Sequence, residues 1–351
     1  MTSSADEVGQ PLSNPGEMEQ AIAEFCECFD ELRTEIKQAI VGQDELIDDC
    51  LTVIFSQGHA LLEGVPGLGK TYLVRTISEA LDVSFGRVQC TPDLMPADIL
   101  GTQIITEAEH GRRGFVFQKG PVFHSLLLVD EINRATPKTQ AALLEVMQER
   151  RVTTGSETHD LPEPFFVLAT QNPLEMEGTY PLPEAQLDRF LYKIRVSFPS
   201  ADDLVEISNR TSGFDEKPIR RVTTREKLVQ MQRLVTQIPV AQPLLQYAAS
   251  LILATHSDRD DSPESVKRFV SYGASPRGMQ ALIRGARIRC VLDQRTSVSV
   301  DDLRSVAYSA LRHRLVLNFD GQAESIDTDN IIDEIIEHIP APAELQTAGV
   351  S

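Results

Sequence analysis

The string Gly64-Val65-Pro66-Gly67-Leu68-Gly69-Lys70-Thr71 has the spacing G-x-x-x-x-G-K-S/T, which commits the surrounding chain to strand, loop and helix in that order. Glycines let backbone N–H groups close around phosphates, a lysine neutralises them, and a hydroxyl after the lysine meets Mg²⁺. The flanks agree with that order. His59-Ala60-Leu61-Leu62-Glu63 reads as a short buried strand, and Lys70 to Leu81 carries Leu73, Val74, Ile77 and Leu81 at helical spacing. The loop therefore feeds a helix N-terminus, where unpaired N–H groups and the helix dipole favour an anion.

Sixty residues on, Leu126-Leu127-Leu128-Val129 runs into Asp130-Glu131. Two carboxylates ending a hydrophobic strand are costly unless solvated, paired or bound to a cation. Beside a phosphate loop the cation is Mg²⁺ and the nucleotide a triphosphate. Hydrolysis needs a metal ligand and a group that orients or deprotonates water, so Asp130 is assigned to Mg²⁺ with Thr71, and Glu131 to the water. The competing reading is an acidic pair capping the turn before Ile132.

Between 59 and 199 strands and helices alternate, which predicts a parallel sheet with helices on both faces. Strands are expected at His59 to Glu63, Phe85 to Thr91, Leu126 to Asp130, Phe165 to Thr170 and Lys193 to Phe198. Ligands of such sheets bind at the carboxyl ends of strands, where Asp130-Glu131 and Gln171-Asn172 fall. Residues 1–16 are rich in Ser, Pro, Gly and acids and read as a disordered tail. The nucleotide-binding core with its N-terminal helices spans 17–199, and Ile22, Phe25, Phe29, Leu32 and Ile36 share one helix face. After Pro199 the signal is helical, at Leu204 to Asn209, Arg225 to Gln237, Pro243 to Thr255, Arg277 to Leu292 and Val300 to Leu317. A helical domain over 200–340 and a flexible tail over 341–351 follow.

Two insertions read as hairpins. One is Gly101 to Lys119, with a polar tip at Glu109-His110-Gly111-Arg112-Arg113-Gly114; the other is Arg151 to Pro164. Ser275 is a good N-cap and Pro276 a good first helical residue, so Arg277 falls in a first turn, where a cation opposes the helix dipole. A bound anion would relieve that conflict.

The net charge of −19 argues against a nucleic-acid groove, since phosphate backbones are held by Lys and Arg. No stretch reaches the roughly 18 apolar residues of a membrane span, and Met1 to Gly16 lacks a basic region followed by an apolar core, so a cytoplasmic protein is expected. Cys26, Cys28, Cys50, Cys90 and Cys290 form no C-x-x-C pair and read as buried thiols. The guanine signature N-K-x-D is absent, which disfavours a GTPase.

With these strings in place the chain resembles the MoxR-type AAA+ ATPases, the helix-2-insert branch related to magnesium chelatase motor subunits. The resemblance covers about residues 20 to 340. It rests on Ile40-Val41-Gly42-Gln43, the phosphate loop, Gly120-Pro121-Val122-Phe123, Asp130 to Ala135, Ala169-Thr170-Gln171-Asn172-Pro173, Glu184 to Phe190 and Gly273-Ala274-Ser275-Pro276-Arg277. It implies an AAA+ core followed by a helical lid, assembled as a hexameric ring with ATP at subunit interfaces.

Carried onto matching positions, the resemblance puts Val41, Gly42 and Gln43 in the adenine pocket and makes Asn172 the polar sensor 1, with a turn cap before Pro173 as the alternative. It makes Arg189 the arginine finger toward a neighbour's γ-phosphate, with a local pair to Asp188 as the alternative. Arg277 fits sensor 2, a lid arginine on the nucleotide phosphates. Both hairpins would face the ring pore or a substrate, unless they are ordinary surface ribbons. The implied activity is ATP-driven remodelling or maturation of a client protein, often alongside a protein bearing a von Willebrand factor A domain. The alternatives are a chelatase-like motor subunit or a transcription-activating AAA+ complex.

Overall fold

The computed structural model describes residues 15–107, 113–155, 157–173, 178–211 and 218–342. Most of the acidic N-terminal tail, the hairpin tip from Glu109 to Arg112 and residues 343–351 lie outside them.

Helices α1 (Pro15–Ala39) and α2 (Asp44–Phe55) precede the sheet. The expected apolar face of α1 is fully packed, and Phe25, Phe29 and Phe55 form an aromatic cluster, with the Phe25 and Phe55 centroids 4.9 Å apart. Then follow β1 (Ala60–Glu63), α3 (Lys70–Ala80), β2 (Phe85–Gln89), α4 (Pro96–Leu100), the ribbon β3 (Gly101–Glu107) with β4 (Arg113–Lys119), and β5 (Leu126–Asp130). The core closes with α5 (Pro137–Glu149), the ribbon β6 (Arg151–Thr154) with β7 (Glu157–Asp160), β8 (Phe166–Gln171), α6 (Glu184–Leu187) and β9 (Tyr192–Arg195).

The sheet runs β2-β5-β8-β1-β9, parallel throughout. Its central strands are buried on both faces, which explains their unbroken apolar runs. Along β5, Leu126 and Leu128 enter the core shared with α1, α2 and α3, while Leu127 and Val129 enter the core under α4 and α5. The last expected strand is shorter than its apolar run: it ends at Arg195, and Phe198 is exposed.

The segment after Pro199 carries α7 (Ala201–Thr211), α8 (Arg225–Gln237), α9 (Gln242–Leu253), α10 (Glu264–Phe269), β10 (Val270–Tyr272), α11 (Pro276–Leu292), α12 (Val300–Ser305), α13 (Ala307–Leu311), β11 (Val316–Leu317), α14 (Phe319–Ala323) and α15 (Thr328–His338). The helix expected over Val300 to Leu317 is instead α12, α13 and a strand. Arg314 explains the stop: its buried guanidinium turns inward to the carbonyls of Asp188, Phe190 and Leu191 at 3.1, 2.7 and 3.1 Å, so the chain leaves helical geometry before β11 pairs with β10. Helices α8 and α11 pack against α1 and α2. Cys26 Sγ donates to the Val291 carbonyl at 3.0 Å, and Gln232 Nε2 to the Ile54 carbonyl at 2.8 Å. All five cysteines are buried thiols, and no helix among the described residues is long and apolar enough to cross a membrane.

His59, just before β1, is buried with Nδ1 accepting the Val167 N–H at 2.9 Å and Nε2 facing the Met147 carbonyl at 3.1 Å. Only the neutral ring with its proton on Nε2 satisfies both. Burial holds its pKa down to about 4 against an ordinary 6.5. The unfolded chain therefore binds a proton that the folded chain refuses between those values. Stability should be intact above pH 6.5 and fall as pH drops toward 4, by on the order of 3 kcal/mol from this group. Urea unfolding at pH 7.5 and pH 5 measures it, and equal midpoints would contradict the assignment.

Candidate active site

The sheet order brings the site together. Strand β1 delivers the phosphate loop, β5 delivers Asp130, and β8 lies between them, so Thr170 and Asn172 separate loop from carboxylates. Gly67 and Gly69 adopt left-handed φ of +86° and +73° with open space where a Cβ would stand, a conformation glycine takes without strain. Gly69 ends the loop as the N-cap of α3, no side chain caps the helix and no acid sits in its first turn, so the amide end faces the hollow. Lys70 is buried, with Nζ donating to the carbonyls of Gly64 and, at 3.2 Å, Val65. Desolvation pulls its pKa down while Asp130 and Glu131 oppose the shift.

Thr170 holds the acidic pair through one hydroxyl, which donates to Asp130 Oδ1 at 2.7 Å and accepts the Glu131 N–H at 2.8 Å. The other Asp130 oxygen accepts from Thr71 Oγ1 at 3.3 Å and Arg87 at 2.9 Å. Glu131 sits at φ +54°, a strained setting for a residue with a Cβ. Its Oε2 accepts from Gln89 at 2.9 Å and Arg134 at 3.2 Å. The two carboxylates are linked through β2, since Arg87 donates to Asp130 and, at 3.0 Å, to the Gln89 amide oxygen, and Gln89 donates to Glu131.

Lys70, Thr71, Asp130, Glu131, Thr170 and buried Asn172 line one hollow of about 380 Å³. Thr71 and Asp130 offer two hard oxygens side by side, a set that fits a Mg²⁺ completed by phosphate oxygens and water. A second, more apolar hollow of about 270 Å³ shares Gly67, Gly69 and Tyr72 with the first and is walled by Val41, Gln43, Phe198 and Leu204. Gly42, at φ +67°, has no room for a side chain there, because a Cβ would stand 2.2 Å from the Asp203 carboxyl carbon.

Arg189 and Arg277 are elsewhere. They line a third hollow that has no residue in common with the phosphate hollow. Arg189 makes no pair with Asp188, whose carboxylate takes Arg314 at 2.8 Å, Ser275 Oγ at 2.8 Å and Arg277 at 3.7 Å; Arg189 Nε is buried without a hydrogen-bond partner. The capping geometry of Arg277 is as expected, with Ser275 Oγ accepting its N–H at 3.1 Å. The anion at that helix start is a protein carboxylate, Asp188, and within one chain Arg277 lines a different hollow from the phosphate loop.

Sequence reasoning missed Arg87, Gln89, Thr170 and Arg134. Arg87 and Gln89 are spaced two apart on β2, and the strand register pairs Gln89 with Asp130. Only knowledge that β2 lies beside β5 could have found them.

Residues 59–192 match the ATPase family associated with various cellular activities (AAA), and residues 264–335 match an AAA lid domain. The chain is 42% identical over 308 residues to Chaperone MoxR1 of Mycobacterium tuberculosis, an alignment covering 88% of this chain and 81% of that one. It is 32% identical over 329 residues to the protein MoxR of Methylorubrum extorquens, covering 88% and 93%. A crystal structure of a protein assigned as an ATPase, from Cytophaga hutchinsonii, superposes with a TM-score of 0.87 at 37% identity, covering 93% of this chain and 98% of its own.

Proposed function

The chain belongs to the MoxR-type AAA ATPases and hydrolyses ATP, and on that premise we propose that it works as a ring of identical copies whose active sites are shared between neighbours, turning over ATP to remodel or mature a client protein. The observation that carries this reading is the separation of Arg189 and Arg277 from the phosphate hollow of their own chain. Phosphoryl transfer gains most from a cation placed on the γ-phosphate, and here that cation comes from another copy.

Within one copy, Val41, Gly42 and Gln43 border the base. Residues Gly64 to Gly69 wrap the phosphates with backbone N–H groups, and Lys70 neutralises them. Thr71 and Asp130 would hold Mg²⁺, which supplies charge neutralisation to the phosphates. Glu131 orients and deprotonates the attacking water, and Asn172 fixes the γ-phosphate or that water by hydrogen bonding. Arg87, paired to Asp130 at 2.9 Å, holds that carboxylate in place.

The two ribbons supply the client-facing surface. Ile105 and Phe115, paired across the first ribbon, are 63% and 72% exposed, an apolar patch suited to meeting another chain. The ribbons also touch, Phe117 stacking on His159 with centroids 4.3 Å apart.

Light scattering of the wild type and of Glu131→Gln, with and without ATP and Mg²⁺, tests the shared site. The expected result is a species of roughly six times the 38.9 kDa chain, most populated in the variant with ATP. A monomer under all conditions would overturn it.

A further inference from the structure

The hollow beside Asp188 is lined by Arg150, Arg189, Arg277, Arg284 and Arg314, with Asp188 as its one carboxylate. Asp188 is already committed to Arg314, Arg277 and Ser275. Arg314 is buried and spends its remaining donors on backbone carbonyls, so its role is to fasten the lid to the core. Arg150 and Arg284 are left over. Neither forms an ion pair among the described residues, and Arg150 gives only a long 3.4 Å bond to the Gln57 carbonyl. Gathering like charges in one hollow costs free energy, and Arg284 registers it: burial and the nearby Arg150 both push its guanidinium below the ordinary value. A chain with net charge −19 that nevertheless concentrates cations here has a site for an anion.

The placement says which anion. Arg277 and Arg284 are seven residues apart on α11 and so share one face of that helix, while Arg150 ends α5 and Arg189 follows α6. The lid and the core each contribute two arginines. The hollow, about 240 Å³, is smaller than the roughly 300–1,000 Å³ of sites that enclose a whole small molecule, but it can receive a phosphate group presented from outside.

We infer that Arg150 and Arg284 complete, with Arg189 and Arg277, a four-arginine receptor for the terminal phosphates of a nucleotide held by a second copy of this chain. The inference rests on the shared-site reading above. It adds a consequence: one phosphate bridges lid and core of the receiving copy, so loss of the γ-phosphate in one subunit loosens the lid of the next.

The test uses the full chain carrying Arg150→Gln or Arg284→Gln, with Arg189→Ala measured in parallel. Each Gln variant should lose turnover roughly ten- to hundredfold, the worth of a charge-assisted hydrogen bond. Each should keep the wild-type affinity of its own phosphate loop for a fluorescent ATP analogue. Each should regain activity when mixed with Glu131→Gln subunits, which are silent themselves but carry the intact arginines. Arg284→Lys, which keeps the charge, should fall less than Arg284→Gln and guards against a folding defect. If Arg189→Ala is rescued by mixing while both Gln variants turn over ATP as wild type, or lose activity that mixing does not restore, the two added arginines serve another purpose and the inference falls. If Arg189→Ala itself is not rescued, the shared site falls first.

Discussion

Glu131→Gln is expected to bind ATP with wild-type affinity and to hydrolyse it at least a hundredfold more slowly, because a positioned general base contributes about 10²–10⁴ in rate. The substitution is close to isosteric. The Gln carbonyl can still accept from Gln89 or Arg134, and the partly exposed Arg134 pair that weakens is worth about 0–1 kcal/mol. The strained turn at φ +54°, fixed by the backbone N–H bond to Thr170, does not depend on the carboxylate. Fold and affinity therefore stay while the chemistry goes. Asp130→Asn makes the contrast, since Asp130 takes Thr71, Thr170 and Arg87 at once and its change should disturb nucleotide binding as well. Steady-state phosphate release with a parallel nucleotide titration separates the two cases. Undiminished turnover in Glu131→Gln would remove Glu131 from the water.

What could be read from the chain divides by the range over which the information travels. The phosphate loop, Asp130-Glu131 and the capping of Arg277 were legible because each is fixed by neighbours a few residues away: glycines at positive φ, a hydrophobic strand with an acidic end, a Ser-Pro helix start. Arg87, Thr170 and Asp188 were not, because their roles depend on which strands and helices become neighbours. Asp188 and Ser275 meet across a sequence separation of 87 residues. Arg277 lies at the boundary between the two. Local electrostatics asked for a bound anion at that helix start, and nothing local could say that the Asp188 carboxylate would stand 3.7 Å away. The end of helical geometry before Leu317 has the same origin, since Arg314 turns to the carbonyls of Phe190 and Leu191, 124 and 123 residues away in sequence.

Arg189→Ala should lower turnover by about 10³–10⁵, the range of an arginine supplied to a γ-phosphate from another subunit, while leaving the fold and the binding of ATP in its own hollow unchanged. The structural half of that expectation follows from what Arg189 does not do. Among the described residues its Nε has no partner and Asp188 is taken by other groups, so truncation breaks no ion pair seen there. Arg314→Ala would behave differently, because it would strip Asp188 of its 2.8 Å partner and remove a nearly inaccessible guanidinium from the lid contact. The functional half requires a neighbour. Mixed with Glu131→Gln, the inactive Arg189→Ala should recover turnover, because an intact phosphate hollow from one then meets an intact arginine from the other. Recovery needs no residue to be restored within either chain, so a cis-acting arginine could not produce it. Full activity of Arg189→Ala alone would remove Arg189 from the γ-phosphate.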